Sequence, residues 1–264
     1  MDWLKEVEEA GKEVLSILGG GYTEDVYEEA LAHELRLRKI PYERQRNFEI
    51  IYKGYRVGEG RADLILNPFW ARKEGEEIVL ELKAFKNITE SHRRQVQVYM
   101  VSLNIDAGAV LTFGDEVLLE IVEKPKRVLD KNVTKPIKTK KGLPTLLKEA
   151  AEGVYKYFGV EFIYREKGLE IFPKAIGVEM RLNGIDFSFN TYPILYKHHQ
   201  VSEYSFDFVF PTGEVAKVHY YKKAEEIDDQ EEEMRFYLNQ FKLNRGYLIG
   251  IPSKEGNKVL LRVV

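Results

Sequence analysis

Residues 78–83 read Ile-Val-Leu-Glu-Leu-Lys, an apolar run of strand length with two charged side chains inside it. A strand repeats every two residues, so Glu81 and Lys83 share one face while Leu80 and Leu82 take the other. Charged groups in an otherwise buried run are costly unless they are paired, hydrated or bound to a metal. A fold that keeps both must therefore bring polar partners to one face of this strand and apolar ones to the opposite face. Upstream, Gly60-Arg61-Ala62-Asp63-Leu64-Ile65-Leu66 places an aspartate at the mouth of a second apolar run. An irregular charged insert separates the two.

Around this pair the first half reads as mixed α/β. Apolar positions at Leu4, Val7, Val14, Leu15 and Leu18 have helical spacing, and Gly19, Gly20 and Gly21 stop that helix. Thr23 is placed as the N-cap of a second helix running to about Lys39. Phe48 to Val57 reads as a hairpin turned at Lys53-Gly54, with Arg61–Leu66 and Ile78–Phe85 as further strands. Helical spacing returns over Glu90–Leu103, followed by strands at Ala107–Phe113 and Val117–Val122. The order is ααβββαββ.

The second half echoes the first. Thr145–Phe158 is helical, Val178–Phe189 reads as a hairpin around Asn183-Gly184, and Tyr204–Phe210 and Val215–Tyr221 read as strands. A helix over Asp228–Leu243 and strands at Tyr247–Ile251 and Lys258–Val263 complete the copy. Glu161-Phe162-Ile163-Tyr164 echoes Glu24-Asp25-Val26-Tyr27, and Phe206-Asp207-Phe208-Val209 echoes Ala62-Asp63-Leu64-Ile65. Matching Tyr99 with Tyr237 gives an offset of 138, which sets His219 at the place of Glu81 and Tyr221 at that of Lys83. The expectation is a domain over 1–122 with an intact site, a basic linker over 123–144, and a domain over 145–264 with an eroded site.

Composition narrows the chemistry. The 264 residues are 44% hydrophobic and carry no cysteine, which permits a large core and excludes disulfides and thiolate metal sites. No apolar run reaches 18 residues and charge begins at Asp2, so neither a membrane span nor a signal peptide is expected, and a cytoplasmic protein is. Residues 1–122 carry 16 basic and 23 acidic groups, 123–142 carry 8 and 2, and 143–264 carry 16 and 18. The basic excess is thus confined to one short segment with three prolines nearby (Pro125, Pro136, Pro144), as suits a linker or a basic arm against phosphate.

Asp63 and Glu81, on adjacent strands, offer hard oxygen donors of the kind Mg²⁺ and Mn²⁺ prefer. Lys83 points to the same place, where its ammonium would orient a water or offset phosphate charge. Glu24 would add a carboxylate from the second helix, directly or through water. Gln95 and Tyr99, four residues apart on one helix, share a face and would reach the site. Plainer readings stand beside these. Glu81 and Lys83 could form a solvated strand face, Glu24 could be a first-turn carboxylate favoured by the helix dipole, and Tyr27 and Tyr99 could be core aromatics. His92, Arg93 and Arg94 could bind phosphate or lie on a solvated helix face. His198 and His199 would point apart on a strand and make no metal pair.

Asp63 followed by Glu81-x-Lys83 on consecutive strands of an αβββαβ core resembles the PD-(D/E)XK nuclease superfamily. Gln95-x-x-x-Tyr99 is similar to the motif that follows the lysine in RecB-like members. Gly21-Tyr22-Thr23-Glu24-Asp25-Val26-Tyr27 matches the GxxExxY pattern that names one family there. The stretches 30–45 and Tyr52-Lys53-Gly54-Tyr55-Arg56-Val57 fit it as well, so the resemblance covers about residues 10–122. Where that superfamily usually has proline before the aspartate, this chain has Ala62. The resemblance implies two tandem restriction-endonuclease-like domains, each a mixed sheet flanked by helices. It implies metal-dependent hydrolysis of nucleic-acid phosphodiesters, DNA in preference to RNA, with Mg²⁺ or Mn²⁺. Glu24, Asp63 and Glu81 would ligate the metal, and Lys83, Gln95 and Tyr99 would complete the catalytic set. Arg61, Lys86, Arg93 and Arg94 would contact nucleic acid. The second half would then be a pseudo-nuclease lobe, mimicking the partner of a homodimer. The competing expectation is an inactive nucleic-acid-binding or protein-interaction scaffold that retains the fold. Removing Lys83 is expected to abolish cutting and leave folding largely intact.

Overall fold

Lys53 and Gly54 both take positive φ (47° and 81°), the geometry of a two-residue turn whose twist matches that of paired strands. They join β1 (Tyr42–Tyr52) to β2 (Tyr55–Leu66), so the second arm of the hairpin and the strand expected at Arg61–Leu66 are one continuous strand. The computed structural model describes residues 3–71, 76–125, 141–163 and 168–264. β3 (Ile78–Lys83) runs antiparallel to β2, α3 (Glu90–Leu103) crosses over, β4 (Ala107–Phe113) lies parallel to β3, and β5 (Val117–Val122) closes the order β1-β2-β3-β4-β5.

The two faces of this sheet have different partners. Leu64, Leu66, Leu80, Leu82, Leu111 and Phe113 bury against α1 (Trp3–Leu18) and α2 (Glu24–Leu37). The alternate residues face α3. Gly108 on β4 admits that helix, because a Cβ there would lie 2.6 Å from both Val96 Cγ1 and Met100 Sδ. With a layer on each face, all six residues of β3 are buried, including the glutamate and the lysine. The expectation that Leu80 and Leu82 enter one layer while Glu81 and Lys83 enter the other is met.

Cα proximity divides the chain into two units, Met1–Asp130 and Lys131–Val264. The second repeats the element order of the first, counting α-helices and strands and leaving out the short 3₁₀ turns. α4 (Leu143–Phe158) and α5 (Gly168–Leu182) precede β6 (Ser188–Tyr196), β7 (His199–Val209) and β8 (Val215–Tyr221). Then come α6 (Glu225–Phe241), β9 (Gly246–Pro252) and β10 (Leu260–Val263), in the sheet order β10-β9-β8-β7-β6. The chain is thus an α/β protein with two mixed five-stranded sheets flanked by helices. Details recur as well. β8 and β9 are the parallel pair, Asn104 and Lys242 end their helices in the left-handed conformation, and a Cβ at Gly246 would lie 2.4 Å from Met234 Cε.

The hairpin expected around Asn183-Gly184 is not one. Val178–Leu182 is the last turn of α5, and Gly184, with φ 75°, takes the left-handed step that ends it, its N–H donating to the Arg181 carbonyl. Asn-Gly supplies positive φ, which a hairpin turn and a helix end use equally. α5 itself was hidden by Pro173, which lacks the N–H that would bond the Leu169 carbonyl. The Tyr220 hydroxyl donates to that carbonyl instead, at 2.7 Å. The real hairpin turns at Lys197-His198, both with positive φ and neither a glycine, so composition gave no sign of it. The Glu161–Tyr164 echo falls partly outside the described residues, and so does most of the lysine-rich segment expected as a linker.

Candidate active site

The site stands at the C-terminal end of β3, where α2 and α3 both begin. Glu81 is fully buried, and its Oε1 accepts from Lys83 Nζ at 2.8 Å and from Gln95 Nε2 at 2.6 Å. Gln95 Nε2 also reaches the Tyr99 hydroxyl at 3.1 Å. Tyr99 is held in turn by an edge-on contact with Phe48, whose ring lies over Gly60 where a Cβ would come within 2.6 Å of it. Lys83 Nζ lies 3.5 Å from Glu24 Oε2, so a single ammonium bridges a buried carboxylate and one that is 43% exposed. Asp63, on β2, sits one residue beyond the last β2–β3 pair and accepts from the Leu82 N–H at 2.9 Å. The backbone itself therefore fixes its carboxylate beside β3.

Burial pulls the Lys83 pKa down, but the carboxylates of Glu81, Glu24 and Asp63 outweigh it and hold the ammonium above its ordinary value. His92 shows the opposite balance. Burial and the nearby Lys83 charge push it down to about 4. Its Nδ1 accepts from the Thr89 N–H while its own N–H donates to Thr89 Oγ1, a capping box with histidine in the usual Glu/Gln position. The sequence offered His92 as a phosphate contact; it is instead a buried cap. Because the unfolded histidine binds a proton near pH 6.5 and the folded one does not until about 4, stability should fall as pH drops through that window. His92→Asn, which keeps an acceptor for the Thr89 N–H, is expected to flatten the acid arm of a urea-midpoint profile over pH 4–6.5. An unchanged arm would reject the assignment.

The four proposed nucleic-acid contacts do not form a free basic patch. Lys86 pairs with Asp115 at 2.7 Å, Arg93 holds Glu120 through two nitrogens, and Arg94 lies 3.6 Å from Glu90. Arg61 is exposed on β2. Two features escaped the sequence reading. Thr112 lies beside Lys83 in the β3–β4 register and is buried, and Tyr22 and Phe85 are exposed at the rim. Strand alternation would have found Thr112 once the β3–β4 pairing was known.

In the second unit Asp207 accepts from the Val218 N–H at 2.7 Å, as Asp63 does from Leu82. Phe208 pairs with Ala216 as Leu64 pairs with Leu80. The equivalents of Glu81 and Lys83 are therefore Lys217 and His219, which corrects the placement of His219 and Tyr221. Equivalent strand and helix positions stand two residues further apart in the second unit, where β8 and α6 both extend into the connection, so an offset taken at the helix misplaces the strand by two. Lys217 donates to the Ser205 carbonyl and lies over the Tyr204 ring. Where the first unit has a buried carboxylate, the second has an ammonium.

Oxygen donors of Glu24, Asp63 and Glu81 suit a hard divalent cation, and the buried Gln95 Oε1, which has no hydrogen-bond partner, adds a further acceptor beside Glu81. As the side chains stand, no three acidic or histidine groups among the described residues are close enough to hold a metal ion together. The Lys83 ammonium lies between Glu81 and Glu24. The donor chemistry thus fits a cation, and loading it requires Lys83 or Glu24 to shift.

A family model of the PD-(D/E)XK nuclease superfamily matches residues 1–124 and places that part of the chain in the superfamily. Nucleases of this superfamily are generally dependent on a divalent metal. Among solved structures, the crystal structure of SSO0001 is similar over 47% of this chain and 68% of its own, with 20% identity and a TM-score of 0.32. No curated protein matches. No helix among the described residues is long and apolar enough to cross a membrane.

Proposed function

We propose that the first unit hydrolyses nucleic-acid phosphodiester bonds with Mg²⁺ or Mn²⁺, and that the second is a degenerate copy without turnover. The observation that carries this reading is the buried Glu81–Lys83 pair beside Asp63, a costly charge arrangement that the second unit does without while keeping the scaffold. Asp63, aimed by the Leu82 N–H, and Glu81, aimed by Gln95, would hold the cation, with Glu24 joining directly or through water. When bound, such a cation acidifies water and offsets charge on phosphate. Lys83 would orient the attacking water and lend positive charge to the transition state. Gln95 and Tyr99, both fully buried, position Glu81. The Gly21–Tyr27 stretch fits the GxxExxY family, and a cytoplasmic protein acting on DNA is the simplest setting.

The test is cleavage of labelled single-stranded, duplex and branched DNA with each metal, comparing the parent with Asp63→Asn. The asparagine keeps an acceptor for the Leu82 N–H and removes the charge, so the fold should survive while the rate drops by about 100-fold or more, from several kcal/mol of lost charge stabilisation. Equal rates in the two proteins would reject the assignment. One observation favours a second reading, a non-catalytic scaffold: Lys83 already neutralises the carboxylates that a metal would need. On that reading no substrate is cut with either metal, and nucleic-acid affinity is indifferent to both metal and Asp63.

A further inference from the structure

Three connections meet at the mouth of the site. Gly114, in the β4–β5 turn, packs so closely on the β3–α3 connection that a Cβ would lie 2.7 Å from Lys86 Cα. On its other side, a Cβ at Gly20 would lie 3.5 Å from the Gly114 carbonyl oxygen. Backbone contact of this kind sets the 19–23 and 84–89 segments against one turn.

Each of those segments carries an aromatic ring into solvent. Tyr22, 50% exposed, stands two residues before Glu24, and Phe85, 58% exposed, stands two residues after Lys83. The Glu24–Lys83 contact at 3.5 Å joins them, so each Cα lies within roughly 7 Å of the Cα of one member of that ion pair. Neither ring is loose. Tyr22 stands edge-on to buried Tyr27 and its N–H donates to the Tyr27 hydroxyl, while Phe85 stacks on buried His92 at 6.1 Å and 17°. Two braced, exposed rings beside a candidate hydrolytic centre offer stacking faces to a flat apolar partner.

Charge decides which partner. Duplex recognition rests on neutralising phosphates with basic groups, yet residues 1–122 carry a net charge of −7. Lys86, Arg93 and Arg94 are engaged with acidic neighbours. A single strand carries its phosphates at lower charge density, and stacking of its bases on aromatic faces adds affinity of its own, so less of the binding rests on basic groups. Resting on the nuclease reading of the same site, we infer that the substrate is a single-stranded stretch or frayed end of nucleic acid, with bases stacked on Phe85 and Tyr22 as its backbone crosses the Glu24–Lys83 mouth.

Fluorescence anisotropy of the full chain with a labelled 20-mer DNA single strand and the matching blunt duplex, in EDTA so that nothing is cut, tests this. The single strand is expected to bind at least tenfold tighter than the duplex. Phe85→Ala and Tyr22→Ala should each weaken single-strand binding about tenfold and leave duplex binding unchanged. Phe85→Trp, which keeps a stacking face, should retain it, and this separates stacking from a general loss of structure. Equal or tighter duplex binding, or indifference to both alanine variants, overturns the inference and leaves the nuclease reading standing. Failure to bind either strand form overturns both.

Discussion

Lys83→Ala should destabilise the first unit by about 3–5 kcal/mol, the usual cost of stripping one partner from a buried ion pair. The side chain is 4% exposed and its nearest carboxylate, Glu81, is not exposed at all. Alanine would leave that charge in an apolar layer without its ammonium, with the Gln95 amide still donating to it. This revises what the sequence suggested, since the buried pair gives the lysine a structural role whatever its part in chemistry. Removing both charges together, as Glu81→Leu with Lys83→Met, should recover most of the loss, because well-packed apolar residues often replace a buried pair at little cost. Both tryptophans of the chain, Trp3 and Trp70, lie in the first unit, so their fluorescence in urea follows this unit alone. A Lys83→Ala midpoint matching that of the parent would sink the prediction. The sign with pH also follows. A lysine whose folded pKa is raised stabilises fully below its unfolded value of about 10.4 and loses that contribution as pH climbs through the folded one. The double variant should lack this alkaline arm.

Tyr27→Ala is expected to cost about 3–5 kcal/mol, in the range of buried aromatic truncations. Tyr27 closes the GxxExxY pattern, and a reader of motifs would suspect a catalytic role. Its ring is fully buried and stacked on Phe113 at 4.5 Å and 3°, and its hydroxyl donates to the Gly19 carbonyl at 2.8 Å. Tyr27→Phe keeps the stack but loses that hydrogen bond and the one accepted from the Tyr22 N–H, so about 1–2 kcal/mol should separate it from the parent. The tryptophan urea midpoints of the three proteins check both numbers. A Tyr27→Phe protein as stable as the parent yet unable to turn over a substrate that the parent cuts would mean a chemical role after all.

The first half was legible because its signals are local. Glu90–Leu103, Ala107–Phe113 and Val117–Val122 have the limits that apolar spacing gave them, and strand alternation sent Glu81 and Lys83 to the correct face. What sequence could not supply was burial. Nothing in Glu-x-Lys distinguishes a wet edge from a strand packed on both sides, and that difference turns on Gly108 admitting α3. The second half was harder. Asn183-Gly184 serves a helix end as readily as a hairpin, Pro173 disguised α5, and Lys197-His198 turns a hairpin without a glycine. The match to the first half was right about the face and two residues wrong along the strand, because the spacing between equivalent strand and helix positions differs by two and an even shift keeps side chains on the same side.

The bond between the Tyr220 hydroxyl and the Leu169 carbonyl has a consequence for how this chain can drift. Burial holds the Tyr220 phenol protonated, so it remains a donor across the whole neutral range. A mutation that removes the hydroxyl while Pro173 is present leaves that carbonyl to water, whereas any residue that restores an N–H at 173 gives it a helical partner and releases position 220. The two sites are therefore coupled: the hydroxyl of residue 220 matters most while position 173 is proline, and least once 173 carries an N–H.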